Sequence, residues 1–306
     1  MPQKKFNQKE GTMAAKGTIG LKVAINAPNT VVFRHLTDRD LLRQWFCDDV
    51  EIEHQIGGKF VFGGAHSFMS TFIEHEGQAQ ISKYDPPNVF EFTFTLNGSP
   101  TSMEFRLSSG ENSTTLILTH RDVPKESFMM DALIVSLSNL IGLIETGKAD
   151  YRLNYLTDIT DGKVEREIMI ERSAEDVFKA LIDQNALSVW FADTVQKIEP
   201  RVGGVYDVGW RSKDGKQVGP IKITDLEDNR RLGYSWFYDP DGGNQATWEL
   251  MPEESGTRVR LTHEGFKQGR YNKDYYQGWH AYMLTLKGFV EKGQKPFEVI
   301  EGGWEY

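Results

Sequence analysis

An internal repeat constrains the fold of this chain more than any other feature of its sequence. Residues 22–46 read KVAINAPNTVVFRHLTDRDLLRQWF, residues 167–191 read EIMIERSAEDVFKALIDQNALSVWF, and the two segments align without a gap. The identical pairs are Ile25 and Ile170, Val32 and Val177, Phe33 and Phe178, Leu36 and Leu181, Asp38 and Asp183, Leu42 and Leu187, Trp45 and Trp190, and Phe46 and Phe191. The offset between the copies is far longer than the repeat of a solenoid, which spans about 20–50 residues. The repeat therefore indicates duplication of a whole domain.

Two further matches extend the repeat toward the end of each copy. Gly57–Phe60 (GGKF) corresponds to Gly203–Tyr206 (GGVY) after one residue of slippage, and His120 corresponds to His263. A polar, turn-rich segment, LTDITDG, separates the copies. We therefore divide the 306 residues into a polar tail (1–17), a first domain (18–155), a linker (156–162) and a second domain (163–306).

Local signals in the second copy predict a strand followed by two short helices. Apolar alternation predicts the strand over residues 164–170. Ser173 and Asp176 have the spacing of a capping box at the start of the first helix. Asn185 is expected to cap the second helix, which ends near Phe191. In the first copy Pro28 replaces the capping serine, and proline suits a first helical turn.

The rest of each copy alternates with a period of two and then changes to a helical pattern. The alternation predicts an antiparallel sheet with one face in water and one face covered. Apolar stripes predict long helices over residues 273–292 and, in the first copy, over about 127–146. The fold class is therefore α+β. Each domain is predicted to be a helix grip, in which a curved antiparallel sheet surrounds a long C-terminal helix and two short helices follow the first strand.

Composition limits the partners and the location of the protein. The formal net charge of −9 argues against nucleic acid as a partner. The single cysteine, Cys47, excludes an intrachain disulfide and favours a reducing, cytoplasmic location. The N-terminal segment lacks the apolar stretch of a secretory signal, and no run approaches the roughly 20 apolar residues of a membrane span. Membrane insertion is therefore not expected.

Four motifs of the second copy resemble the C-terminal domain of activators of the heat-shock-protein-90 ATPase, a START-like (SRPBCC, helix-grip) family. They read VFKALIDQNALSVWF, VGGVY, GTRVRLTHEGF and WHAYMLTLKGFVEKG. The first copy is similar up to His120, but its final helical segment, SFMMDALIVSLSNLIGLIETG, lacks the tryptophan. The resemblance implies a START-like fold in tandem. START-like domains bind apolar small molecules, support a few enzyme chemistries or act as chaperone cofactors, and the fold alone does not choose among these roles.

Aromatic side chains and two matching histidines form the candidate ligand site. The candidate residues are Trp210, Tyr234, Trp236, Trp248, His263, Tyr275, Trp279 and Tyr282 in the second copy, and His120 in the first. Most of these positions face inward, where rings suit an amphiphilic guest and the histidine would orient it. The alternatives are a core filled by large rings and histidines with purely structural roles. The first copy has phenylalanine and methionine at comparable positions, including Phe92, Phe94 and Met103.

Motifs for catalysis, for phosphate binding and for dinucleotide binding are absent from the sequence, so no catalytic residue, cofactor or metal site is expected. The leading prediction is a non-catalytic protein whose second domain binds an apolar or aromatic small molecule between its sheet and C-terminal helix. One alternative is a protein-interaction or chaperone-cofactor role. A further alternative is a cyclase or hydrolase that uses His263 or His120 with a nearby acid.

Overall fold

The structure is a computed structural model of the chain. It describes residues 16–68, 79–96, 98–124, 129–157, 162–212, 215–237, 243–266 and 273–302. Two α+β units follow one another along the chain, as the repeat predicts. The first strand begins at Lys16, which lies inside the segment predicted to be a polar tail.

The first unit contains two short helices after its first strand, six further strands and a long helix. Its elements are β1 (Lys16–Ile25), α1 (Asn29–Thr37), α2 (Arg39–Trp45), β2 (Asp49–Ile52), β3 (Lys59–Gly63), β4 (Ala79–Asp85), β5 (Val89–Leu96), β6 (Ser99–Ser109), β7 (Thr114–Pro124) and α3 (Met129–Thr146). This order matches the predicted helix grip.

The second unit repeats this plan and ends with an additional strand. Its elements are β8 (Lys163–Ile170), α4 (Ala174–Ile182), α5 (Gln184–Trp190), β9 (Lys197–Ile198), β10 (Tyr206–Asp207), β11 (Gly219–Glu227), β12 (Arg231–Phe237), β13 (Asn244–Glu253), β14 (Gly256–Glu264), α6 (Lys273–Lys292) and β15 (Glu298–Glu301). The predicted helix over residues 273–292 is therefore confirmed.

All strand pairs are antiparallel, but one strand lies in the other unit's sheet. The order is β15-β1-β7-β6-β5-β4-β3-β2 in the first unit and β11-β12-β13-β14-β8 in the second, with β9 and β10 as a separate pair. Strand β15 pairs with β1, where Leu21 lies opposite Val299. The predicted second domain, 163–306, therefore contributes a strand to the sheet of the first, because the chain returns to the open edge of β1.

The helix starts explain why the short helices form where they do. Ser173 Oγ accepts a hydrogen bond from the backbone N–H of Asp176, as the capping box predicts. The prediction that Asn185 caps α5 is wrong. The cap is Asp183, whose carboxylate accepts from the N–H of Ala186 at 2.8 Å. Asp38 caps α2 in the same way.

The paired glycines have different tasks at the two matching turns. Gly57 and Gly203 both have φ of 80°, a region that L-residues with a side chain rarely adopt. Gly58 and Gly204 instead lie against backbone, because a Cβ on Gly204 would come within 2.2 Å of the carbonyl oxygen of Glu199. In each Gly-Gly pair, the first glycine is therefore required by a left-handed turn and the second by the close approach of two chain segments.

The shared Trp-Phe pairs anchor the short helices to the core. Trp45 and Trp190 are buried, and their indole N–H groups donate to the carbonyl oxygens of His35 and Ala180. Each bond spans ten residues and ties the end of the second helix to the first helix of its pair.

Helix α3 is apolar on nearly all sides because it packs against its own sheet and against α6. By length and hydropathy it is the one described helix that could cross a membrane, yet most of it is buried inside the protein. Such burial is typical of a core helix. Gly278 of α6 lies beside Asp131 of α3, where a Cβ would stand 3.4 Å from a carboxylate oxygen.

Candidate functional site

The structure brings eight of the nine candidate residues together inside the second unit. Seven are buried, namely Trp210, Tyr234, Trp236, Trp248, His263, Trp279 and Tyr282, and Tyr275 is partly buried beside them. Strands β12, β13 and β14 supply one wall and helix α6 supplies the other. His120 is buried at the matching place in the first unit and therefore belongs to a separate core.

Ring contacts centred on Trp236 join the sheet to the helix. The Trp236 ring centroid lies 5.0 Å from that of Trp279 and 5.1 Å from that of His263. Trp210 meets the same ring at 5.9 Å in an edge-on arrangement. Edge-on and tilted contacts at these distances are favourable for aromatic rings. The interior of the second unit is therefore a continuous aromatic layer.

Two of the tryptophans find hydrogen-bond partners within this layer. Trp248 donates its indole N–H to the Tyr234 hydroxyl over 2.8 Å. Trp279 donates to His263 Nδ1 over 3.0 Å. These bonds offset the cost of burying the indole groups and make His263 a partner of α6.

Three buried polar groups at one end of the sheet lack such partners among the described residues. They are the indole N–H of Trp236, Nε2 of His263 and the side-chain amide of Asn244. Trp236 lies opposite Asn244 in the register of β12 and β13, and His263 lies on the inward face of the neighbouring strand β14. A buried polar group without a partner costs about 1–3 kcal/mol, so this end of the sheet is suited to a guest that carries a hydrogen-bonding group.

Asn244 is a candidate residue that the sequence patterns do not single out. In the sequence it follows Gly242 and Gly243, where an asparagine is ordinary, and its inward position depends on the register of β12 and β13. The alternation of Ala246, Trp248 and Leu250 does extend back to position 244. This alternation is the sequence signal from which the inward position of Asn244 could be predicted.

Burial makes His263 a neutral side chain in this setting. Desolvation lowers its pKa to about 3, and desolvation lowers the pKa of His120 to about 3 in the same way. Neither imidazole hydrogen-bonds a carboxylate among the residues that the structure describes. A general acid or base normally has a pKa near the working pH, so the cyclase or hydrolase alternative finds no support in this geometry.

A pocket of about 440 Å³ lies on the outer side of the aromatic layer. Phe191 and Trp210 contribute rings to its wall, and the segment before and within β15 contributes Lys295 and Val299. Lys295 is partly buried, and desolvation lowers the pKa of its ammonium group although Asp193 acts in the opposite direction. Trp210 therefore contacts both this pocket and Trp236, whose indole N–H is one of the unpartnered groups.

Comparison with protein families assigns both units to one family. The sequence profile described as "Activator of Hsp90 ATPase homolog 1-like protein" matches residues 26–131 and again residues 171–291, which together make up most of the chain. The chain belongs to this family. Its two matches fall one in each unit, so the chain carries the family domain twice. A comparison with curated protein sequences finds no significant match.

Solved structures similar to this chain include one whose match extends over both units. The crystal structure of DynU16, from the dynemicin biosynthetic locus, is 14% identical over 90% of this chain and 95% of that one, with a TM-score of 0.38. The Aha1 dimer from Colwellia psychrerythraea is 24% identical over 43% of this chain and 97% of that one, with a TM-score of 0.38. CalU16 from Micromonospora echinospora is 19% identical over 44% of this chain and 85% of that one, with a TM-score of 0.36.

The two family domains of this chain differ at the polar end of the sheet. Sheet register makes Phe94 the counterpart of Trp236 and Thr101 the counterpart of Asn244. Thr101 donates its hydroxyl hydrogen to the carbonyl oxygen of Phe94, so its side chain is satisfied locally. The ring contact to histidine is retained, with Phe94 and His120 centroids 5.2 Å apart. The first domain therefore keeps the packing and lacks the free indole and amide groups.

Proposed function

We propose that this chain is a non-catalytic binding protein whose second domain holds an apolar or aromatic small molecule at the polar end of its aromatic layer. The supporting observation is the group of buried polar atoms without partners on Trp236, Asn244 and His263. Apolar walls with a few inward polar groups are the usual composition of a small-molecule site. In this proposal the guest enters through the pocket beside Trp210.

The aromatic layer explains how such a guest is held. The described rings pack closely against one another, so the guest takes the place of contacts that Trp210 and Trp236 now make. Turning these indoles exposes flat surfaces, and each buried ring can cover an aromatic or fatty guest. The single, buried thiol of Cys47 suits a cytoplasmic location for this protein.

A titration of the full-length chain tests this function. Flavonoids, fatty acids and environment-sensitive dyes are added, and binding is followed by calorimetry and by the emission of the dye. We expect at least one class to bind at or below tens of micromolar, and Trp236→Ala to weaken that binding by tenfold or more.

Phe94→Ala is the matched control, because it removes a buried ring at the equivalent position of the first domain. It should leave the affinity within about twofold. Failure of every ligand class to bind at tens of micromolar would contradict the proposed function.

A chaperone-cofactor role is the second candidate, and family membership supports it. An open groove of about 500 Å³ lies on the outer face of α4, α5 and α6, with Val189 and Phe289 among its lining residues. Addition of the full-length chain to an Hsp90 ATPase tests this role. Stimulation that is lost in Val189→Asp and kept in Trp236→Ala would favour the outer face over the interior.

A further inference from the structure

The hydrogen bond from Trp279 determines which nitrogen of His263 carries the proton. An indole N–H can only donate, so His263 Nδ1 must offer its lone pair across the 3.0 Å contact. A neutral imidazole has one N–H, which therefore resides on Nε2. The lowered pKa of His263 keeps the ring neutral at neutral pH. His263 Nε2 is thus a donor, and it has no acceptor among the described residues.

Trp236 provides a second donor of the same kind at the same place. Its indole nitrogen is buried, carries a hydrogen and has no described acceptor. The Trp236 and His263 ring centroids are 5.1 Å apart, and both side chains lie on the inward face of the sheet. The two rings that carry these unused N–H groups are therefore neighbours in the buried interior of the second unit.

Asn244 lies beside these two donors and does not change the excess of hydrogen-bond donors over acceptors. Its amide has both a donor and an acceptor, and neither has a described partner. The fixed donors of Trp236 and His263 thus outnumber the fixed acceptors, since Asn244 can present either end. An oxygen with two lone pairs can accept from both rings at once.

We propose that the second domain selects ligands that present an acceptor oxygen, such as an aromatic ketone or phenolate, to the N–H groups of Trp236 and His263. This inference rests on the proposed function. A hydrocarbon guest leaves both donors buried and unpaired, and a guest that presents its own N–H faces two further donors. Leaving a buried donor unsatisfied is costly, so such guests bind more weakly.

The first domain lacks this pair of donors. Phe94 replaces the indole, and the Thr101 hydroxyl already donates to the carbonyl oxygen of Phe94. His120 has no Trp279 counterpart bonded to it, and both of its nitrogens are without described partners. The proposed selection therefore belongs to the second domain, and His120→Phe is a matched control for it.

Three planar tricyclic probes of similar shape test the selection on the full-length chain. Fluorenone carries an acceptor oxygen, fluorene carries no polar group and carbazole carries an N–H donor. We expect calorimetry to show fluorenone binding at least tenfold more tightly than the other two. Trp236→Phe keeps a ring and removes one donor, so it should reduce this preference about fivefold, whereas His120→Phe should leave it unchanged.

Nuclear magnetic resonance of the indole N–H groups provides a second readout. The Trp236 signal should move when fluorenone is added and remain in place with fluorene, because only fluorenone accepts a hydrogen bond. Equal binding of the three probes would overturn the donor inference and leave the proposed function standing. The donor inference would also be overturned if Trp236→Phe kept the full preference for fluorenone and if fluorenone did not move the Trp236 indole signal of the unchanged protein. Absence of binding by all probes and by the wider ligand panel would remove both proposals.

Discussion

Individual buried histidines carry much of the chemistry that distinguishes this protein from a simple hydrophobic core. His120, His263 and His280 each have a pKa lowered to about 3, with burial as the largest cause. His280 lies between the units, where Arg166 Nη2 donates to its Nδ1 and its Nε2–H donates to the carbonyl oxygen of Tyr151. All three imidazole rings are therefore neutral in the folded protein at neutral pH.

This neutrality makes the stability of the protein depend on pH in a defined direction. In the unfolded chain a histidine binds a proton once the pH falls below its ordinary pKa of about 6.5, whereas the folded His120 does so only near about 3. The unfolded state thus holds more protons between these values, and the free energy of unfolding falls as pH falls through this window. One histidine contributes a slope of at most about 1.4 kcal/mol per pH unit.

His120→Phe tests this slope because neither imidazole nitrogen has a described partner to lose. Urea unfolding is measured for both proteins at pH 7.5, 6 and 4.5. Between pH 6 and 4.5 the variant should lose about 1–2 kcal/mol less than the unchanged protein. Parallel curves for the two proteins would show that His120 takes up its proton in the folded state as readily as in the unfolded state.

For the helices and strands, the repeat makes most of the local structure predictable, but one helix cap is predicted at the wrong residue. The paired helices, the left-handed turn at Gly57 and Gly203 and the inward stripes all follow from short-range patterns. The pattern places the cap of α5 at Asn185 although Asp183 is identical to Asp38 in the other copy. Asp183 also ends α4, and where one residue closes a helix and starts the next, the second cap is easily placed two residues too late.

Substitution at these two positions distinguishes the cap from its neighbour. Asp183→Ala removes the acceptor for the N–H of Ala186 and should lower the free energy of unfolding by about 1 kcal/mol. Asn185→Ala, on the exposed side of the helix, should change it by less than about 0.5 kcal/mol. Chemical denaturation followed by tryptophan emission measures both, and equal losses would reject Asp183 as the cap.

For the whole molecule, the decisive contacts are long-range ones that no local pattern signals. Strand β15 closes the edge of the first sheet although it follows the last helix of the second unit. Asn244 and His263 approach Trp236 only through the strand register. The duplication predicts two domains of one family, but it carries no information about how the end of the chain is used.

A pair of glycines in β1 tests the pairing of β15. A Cβ on Gly20 would lie 2.9 Å from the side chain of Ile300, whereas a Cβ on Gly17 meets nothing within 4 Å. Gly20→Val should therefore displace β15 and speed amide hydrogen exchange in Glu298–Glu301 by tenfold or more. Gly17→Val should leave exchange there unchanged, and unchanged exchange in both variants would contradict the pairing.

Native mass spectrometry of the full-length chain, purified from its own host without denaturation, tests the central claim most directly. We predict a population heavier than the 34.9 kDa polypeptide by the mass of one small molecule, lost on denaturation and strongly reduced in Trp236→Ala. The Phe94→Ala variant should retain the added mass, because its change lies in the first domain. The contradicting result is a spectrum, recorded under conditions that preserve the fold, that contains only the bare polypeptide. If no ligand of the panel then adds mass to the protein, the second domain has no ligand site.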